Sequence, residues 1–395
     1  ARNFLNPYVI TSVDQFLLSF LQAGKYYTKR VMFRGAGIVL DEIHTLNPLM
    51  LIMLTYFLKR FREPYDLKFL GMSATLTDAM RSYLADELQL PAQACMIFDQ
   101  GFRERRRVMF RYNDFDIESA LVQARERALQ DNVMIAVNTV EKAVTIGRIL
   151  REKMEFPNVI VIHGRFMYRD RAEKEADIKE YDDTRRSHIL VCTQVCEVSL
   201  DVSYDHLFTE LAPCSSLVQR FGRVNRRGIR TDIVNVDVFQ PDIRDPARYP
   251  YAPESLNTAK MVLSGLRAEM LSNEMQLIAE LNANYTREVL EKEMNDARSH
   301  VSFEAFEDLL RFFYSLTTDE AELQDTLSYR DGFSLAVLPH YDCIEETGNE
   351  ELKLELRHAL DADIGAMDFK QRARFFNNLR QFAVQVPFWW LRESK

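Results

Sequence analysis

Four short clusters in this chain carry residues that could act on a phosphate. The densest is Gln219-Arg220-Phe221-Gly222-Arg223-Val224-Asn225-Arg226-Arg227-Gly228. A guanidinium is always charged and presents a planar fork that binds phosphate oxygens in pairs. Several on one helical turn and a half can neutralise the charge that builds on a transferring phosphoryl group. A solvated basic face would have the same composition. Upstream lie Asp41-Glu42-Ile43-His44 closing an apolar run, Ser73-Ala74-Thr75 after another, and Thr193-Gln194, with Ser199-Leu200-Asp201 beyond, after a third.

Asp41 and Glu42 directly follow Gly37-Ile38-Val39-Leu40, so both carboxylates emerge at the carboxyl end of a strand. Asp41 is suited to hold Mg²⁺ through its water shell, and Glu42 to orient or deprotonate an attacking water. An anion pair opening a helix would look the same. His44, two residues past the base, can hydrogen-bond to a polar partner, and Gln219 supplies a fitting amide. Ser73 and Thr75 offer hydroxyls at a second strand end; Thr75 and Asp78 also resemble a capping box, and one hydroxyl can serve both purposes.

The elements that must position these groups alternate. Over residues 1–98 the pattern predicts a helix at Gln15–Ala23, a strand at Ala36–Leu40, a helix at Pro48–Phe61 and a strand at Leu67–Met72. The Arg-rich stretch 101–113 reads as a linker leading into strand Val108–Tyr112, followed by helix Ile117–Gln130, strand Val133–Asn138, helix Glu141–Lys153, strand Val159–His163, helix Arg169–Tyr181, and strands His188–Thr193, His206–Leu211 and Ile233–Phe239. Short β-rich runs between longer helices imply an α/β fold with a parallel sheet, whose ligands collect at the carboxyl ends of the strands. Pro241, Pro246, Pro250 and Pro253 break regular structure. Beyond them the chain reads as mostly amphipathic helix, with strands at Phe333–Leu338 and Phe382–Val386. The expected domains are 1–100, 101–245 and 246–395.

With 395 residues and 47% hydrophobic content the chain can bury a sizeable core. It shows no apolar run of membrane-spanning length and no secretion signal, and is read as cytoplasmic. Five cysteines, Cys95, Cys192, Cys196, Cys214 and Cys343, lack zinc-ligand spacing and are expected to be reduced thiols. A net charge of −9 argues against adhesion to nucleic acid over the whole surface. Basic residues still cluster, at Arg103–Arg111, at Arg165, Arg169 and Arg171, and in the decamer with Arg230. That arrangement suits a channel, or a set of solvated helix faces.

In this order the clusters resemble a superfamily 2 helicase of the DExH type: Asp41 to His44 as motif II, Ser73 to Thr75 as motif III, Gln219 to Arg226 as motif VI. Thr11-Ser12-Val13-Asp14-Gln15, His163-Gly164-Arg165-Phe166, Val191 to Asp201 and Glu210-Leu211-Ala212-Pro213 look like the CRISPR-associated helicase-nuclease of type I interference. The resemblance is most specific from 159 to 228; in the tail, Tyr329-Arg330-Asp331-Gly332 and Gln385-Val386-Pro387 are similar to the family's C-terminal domain. It implies two RecA-like lobes, the first partial and the second complete, followed by a mainly helical C-terminal domain. It also implies ATP with Mg²⁺ at Asp41, Glu42 as catalytic base, Arg223 and Arg226 as arginine fingers reaching the γ-phosphate, Gln219 facing His44, and Asp201 touching the ribose or the fingers. His44, Ser73 and Thr75 would couple hydrolysis to DNA movement, and Arg165, Thr193 and Gln194 would hold the DNA backbone. The implied activity is 3′-to-5′ translocation on single-stranded DNA, the displaced strand of an R-loop, with an RNA-guided effector complex as partner.

The chain departs from the family in two places. It contains no Gly-rich loop ending in Gly-Lys-Thr or Gly-Lys-Ser, since Gly24-Lys25 is followed by Tyr26, and no His-Asp dipeptide of the accompanying nuclease. The chain is therefore expected to begin partway through the first lobe, to lack nuclease activity and to hydrolyse no ATP by itself. A non-hydrolysing module that binds DNA or the effector complex, and a DExH RNA helicase fragment, are the alternatives. Trp389-Trp390 would close over a DNA channel or anchor a core.

Overall fold

The computed structural model describes residues 7–13, 16–17, 32–46, 48–73, 76–91, 108–198, 202–226, 235–244, 249–251, 253–265, 271–272, 279, 283–299, 334–338, 350–362 and 367–387. The helix expected at 15–23 lies mostly outside them, as do Thr75, Asp201, Arg227, the 329–332 motif and both tryptophans. In chain order the elements are β1 (Gly37–Leu40), α1 (Pro48–Phe61), β2 (Lys68–Gly71), α2 (Asp78–Leu88), β3 (Val108–Asn113), α3 (Leu121–Arg127), β4 (Val133–Ala136), α4 (Val140–Arg148), β5 (Val159–Ile162), α5 (Tyr168–Thr184), β6 (Ile189–Cys192), α6 (Val195–Val198) and β7 (His206–Glu210). They continue through α7 (Cys214–Phe221), β8 (Val236–Phe239), α8 (Pro253–Gly265), β9 (Leu271–Ser272), α9 (Arg287–Ser299), β10 (Ser334–Val337), α10 (Glu350–Leu360), α11 (Phe369–Leu379) and β11 (Val384–Pro387).

The chain divides into two compact units, one of residues 1–104 with 274–331, the other of 105–273 with 332–395. In the first, β1 and β2 pair in parallel, Leu40 opposite Gly71. Ile38, Leu40 and Phe69 turn toward α1, whose residues from Leu49 to Phe61 are almost all buried. Such an all-round apolar helix has to sit inside its unit. Helix α2 covers it on one side and α9 adds Leu290 and Met294 to the same core. Thr55 returns its hydroxyl to the Leu51 and Ile52 carbonyls and meets Tyr83 Oη at 3.2 Å. The cap of α2 is Thr77, whose Oγ1 accepts from Met80 N at 3.2 Å, and not Thr75 as the spacing to Asp78 suggested.

The second unit holds a seven-stranded sheet in the order β5-β6-β4-β7-β8-β3-β9, parallel except for β9. Strands β4, β5, β6 and β7 are buried at every position, as an interior parallel sheet with both faces covered requires. Gly147 of α4 sits against β5, where a Cβ would lie 2.4 Å from Val161 Cγ2, so this crossing needs a glycine. Two expected helices are interrupted. Residues 117–120 form a 3-10 turn capped by Asp116, which accepts from Glu118 N, before α3 begins. After α4 the chain loosens into a π turn over Ile149–Lys153. The last expected strand starts at Val384, because Arg380–Phe382 close α11 with a 3-10 turn. The α/β parallel-sheet architecture anticipated from the alternating pattern is what the second unit shows.

Candidate functional site

In the first unit the parallel register of β1 and β2 carries Asp41–His44 and Ser73 to adjacent strand ends. The ladder continues one step past the strands, Met72 N donating to Leu40 O at 2.9 Å and Ile43 N to Met72 O at 3.0 Å. His44 Nδ1 lies 2.8 Å from Ser73 Oγ and 3.3 Å from Glu42 Oε2. Glu42 adopts the left-handed conformation, φ 53° and ψ 44°, which costs a non-glycine residue about 1 kcal/mol or more. The chain reverses there, and the Glu42 carboxylate stays beside the imidazole. Burial lowers the His44 pKa against the opposing pull of Asp41, so the ring is neutral at pH 7. Asp41 is exposed, its Oδ1 accepting from Glu42 N at 2.9 Å. Its oxygen donors are of the hard type that Mg²⁺ takes, one or two carboxylates at a time.

In the second unit the carboxyl ends of β4, β6 and β7 face helix α7. Arg220, on that helix, is 0% exposed and makes five hydrogen bonds. Its Nε donates to Glu197 Oε1 at 2.9 Å, Nη1 to Thr209 Oγ1 at 2.9 Å and to Glu210 O at 3.3 Å, Nη2 to Asn138 Oδ1 at 3.0 Å and to Tyr251 Oη at 3.4 Å. Ser216 Oγ closes the other side of Glu197 at 3.0 Å. This arginine is a core group. Its donors are spent inside the protein and none is exposed to a phosphate.

Arg223 follows where α7 has ended. Its Nε donates to Cys196 O at 3.0 Å and its Nη2 to Glu197 O at 2.5 Å, so the fork rests on the last carbonyls of α6. The next residues bridge back to Tyr204: Tyr204 N donates to Arg223 O and Asn225 N to Tyr204 O, both at 2.8 Å. Arg226 N donates to Ser203 Oγ at 3.1 Å, with its side chain half-buried, as is that of Gln219.

The residues expected at DNA are held differently from one another. Thr193 is 3% exposed. Gln194 spends both amide protons internally, on Asn138 O at 3.0 Å and Tyr251 Oη at 3.1 Å. Arg165 is half-buried in the loop after β5, its N–H donating to His163 Nδ1 at 3.2 Å. His163 stacks on Phe166, ring centroids 4.1 Å apart, and Lys174 covers the other ring at 4.7 Å. Met167 ties this loop to Leu352, Leu356 and Phe382 of the tail, and Arg169 reaches Glu355 at 2.9 Å.

Burial, with the Arg165 and Lys174 charges, pushes the His163 pKa down to about 4. Between that value and the ordinary 6.5 the unfolded chain binds a proton that the folded one refuses, so stability falls as pH drops through this window. His163→Gln should therefore flatten the acid limb of stability between about pH 4 and 6.5 in urea titrations. An unchanged slope would mean that His163 titrates normally.

Sequence reasoning missed Glu197, Asn138, Thr209 and Tyr251. The available signal was polar residues closing apolar strands, as Asn138 does after Val133–Val137 and Glu210 after His206–Thr209. Among the described residues no group of three or more His, Cys, Asp or Glu side chains could hold a metal, and no helix is long and apolar enough to cross a membrane. Cys192, Cys196 and Cys214 are buried free thiols.

Residues 130–229, which include Asn138, Glu197, Thr209 and Arg220 but not Tyr251, match the family model described as CRISPR-associated nuclease/helicase Cas3, C-terminal. The CRISPR-associated nuclease/helicase Cas3 of Methanothermobacter thermautotrophicus is 27% identical over 237 residues, 57% of this chain and 28% of that protein. The Streptococcus thermophilus Cas3 is 27% identical over 258 residues, again 57% and 28%. Over part of its length the chain is similar in sequence to Cas3. The T. fusca Cas3–ADP crystal structure superposes with a TM-score of 0.69 at 19% identity, covering 98% of this chain and 51% of that one. A chain of a CRISPR RNA-guided surveillance complex, pre-nicking, gives 0.65 at 20%, covering 98% and 54%. The chain thus shares the fold of those structures and spans about half their length.

Proposed function

We propose that the chain is part of an ATP-dependent DNA helicase of CRISPR interference, moving 3′ to 5′ on single-stranded DNA. One observation carries this reading: Glu42, His44 and Ser73 converge at the ends of two adjacent parallel strands, with His44 Nδ1 within 3.3 Å of both partners. A carboxylate held beside a neutral imidazole is suited to orient water and accept its proton. The T. fusca Cas3–ADP and Cas3–ATP crystal structures support the nucleotide.

In this reading Asp41 holds Mg²⁺ through water, and the bound ion neutralises phosphate charge. Glu42 positions and deprotonates the attacking water. His44, Ser73 and Thr75 relay the state of that site to the DNA. Arg223 and Arg226 supply guanidinium donors to the γ-phosphate, with Gln219 and Asp201 ordering the nucleotide. Arg165 takes a DNA phosphate, while Thr193 and Gln194 shape the neighbouring strand-end loop from inside. The effector complex, with its guide RNA, would choose the sequence, and the motor would draw in the displaced strand in the cytoplasm.

Glu42→Gln in the intact protein should lower DNA-stimulated ATP turnover by about 10²-fold or more with ATP affinity retained. Retained turnover would reject Glu42 as base. Wild-type protein without any DNA-stimulated turnover would reject the helicase reading in favour of a binding module, which the lack of a Gly-Lys-Thr or Gly-Lys-Ser sequence favours for residues 1–395 alone.

A further inference from the structure

The segment after β8 sends two tyrosines into the strand-end network. Tyr249 Oη receives Asn138 Nδ2 at 2.6 Å, and Tyr251 Oη receives Gln194 Nε2 at 3.1 Å and Arg220 Nη2 at 3.4 Å. The two rings pack edge to face with centroids 6.2 Å apart. Asn138 is the hub beneath them. Its N–H goes to Glu210 Oε2 at 2.7 Å, its Nδ2 also to Leu211 O at 2.9 Å, its Oδ1 takes Arg220, and its carbonyl takes Gln194. Every polar atom that the tyrosine hydroxyls touch therefore belongs to the end of β4, the loop after β6 or helix α7.

We infer that Tyr251, seconded by Tyr249, is a positioning residue that fixes Gln194 against Arg220 and so sets the α6 carbonyls on which Arg223 rests. The route is short and continuous. Tyr251 fixes one face of the Arg220 guanidinium, Arg220 Nε fixes Glu197, and the backbone carbonyls of Cys196 and Glu197 hold Arg223. Gln194 opens α6 and is fixed from the same hydroxyl. Without it, one Gln194 amide proton and one Arg220 contact lose their partner inside a network whose other members are all engaged. A phenylalanine keeps the ring and deletes the hydroxyl's bonds to Gln194, Arg220 and Ser216, so the role assigned to Tyr251 is exerted through those residues.

The catalytic part of this inference rests on the proposed function, and the test separates the two. Hydrogen exchange on residues 1–395 asks whether the strap exists: Tyr251→Phe should speed exchange of amides in both 194–198 and 214–223 by roughly three- to tenfold, the loss of about one buried hydrogen bond. Unchanged exchange in either segment overturns the inference. In the intact protein the same variant should lower kcat for DNA-stimulated hydrolysis by roughly three- to tenfold and leave KM for ATP within about twofold, since a displaced Arg223 weakens only the transition state. A lowered melting temperature with unchanged kcat would show a packing role and overturn it. If wild-type protein hydrolyses no ATP, the proposed function falls, and the exchange result still judges the strap.

Discussion

Arg223→Ala should slow DNA-stimulated ATP hydrolysis by roughly 10³-fold or more, the scale of an arginine-finger loss. Its effect on stability should be small by comparison, about 1–2 kcal/mol. The difference follows from what the side chain touches. Two bonds to the neutral carbonyls of Cys196 and Glu197 hold a half-buried fork, and water can replace an alanine's missing donors there. A developing negative charge on a phosphoryl group offers no such replacement, because the donors must already be in place when it forms. The check is steady-state turnover of the intact protein at saturating single-stranded DNA, alongside DNA affinity and thermal unfolding. Arg223→Lys keeps the charge without the fork and should recover only part of the rate. If Arg223→Ala weakens DNA binding and leaves kcat intact, Arg223 belongs to the nucleic-acid path and the assignment to ATP is wrong.

Much of the scaffold behind these residues is legible in the sequence because buried parallel strands leave an unmistakable trace. Val133–Ala136, Val159–Ile162 and Ile189–Cys192 are uninterrupted apolar runs, and each was bounded to within two residues of its observed ends. Strand ends also locate chemistry, since polar residues that close such runs must lie on one side of the sheet. That rule places Asp41-Glu42 after β1 and Gln194 after β6, where the structure has them. Direction is what sequence does not encode. The decamer shows arginines close together but not which face of α7 each occupies. Helix α7 stops at Phe221, so Arg220 lies on its buried face and Arg223 beyond its end. Spacing likewise pointed to Thr75 as the cap of α2, whereas the chain enters the helix two residues later at Thr77, in extended conformation. The left-handed turn at Glu42 was invisible for a related reason: nothing in Asp-Glu-Ile-His demands it, and the pairing of β1 with β2 imposes it through Ile43 and Met72.

Arg220→Ala should destabilise the second unit by about 3–5 kcal/mol, the cost of leaving a buried charge without its partner. Glu197 would keep Ser216 as a side-chain partner, and Thr209, Asn138 and Tyr251 would each lose the guanidinium donor from which they accept, in a buried region. Arg220→Lys offers little rescue. An ammonium reaching Glu197 cannot also span to Thr209, Asn138 and Tyr251, because those bonds leave a planar fork in several directions. The pair is not thereby shown to be the most stable choice for the site. Taking two charges out of water costs several kcal/mol per ion, so a well-packed apolar replacement of both, Arg220→Met with Glu197→Leu, should recover much of the loss. Urea unfolding of residues 1–395, following the transition of the second unit, separates these cases. A loss below about 1 kcal/mol for Arg220→Ala would mean that the network relaxes or hydrates freely. Stability recovered in the double variant without recovery of turnover in the intact protein would place the reason for this ion pair in function, since the apolar pair fills the space but lacks the charged bond that anchors α6 and the carbonyls that carry Arg223.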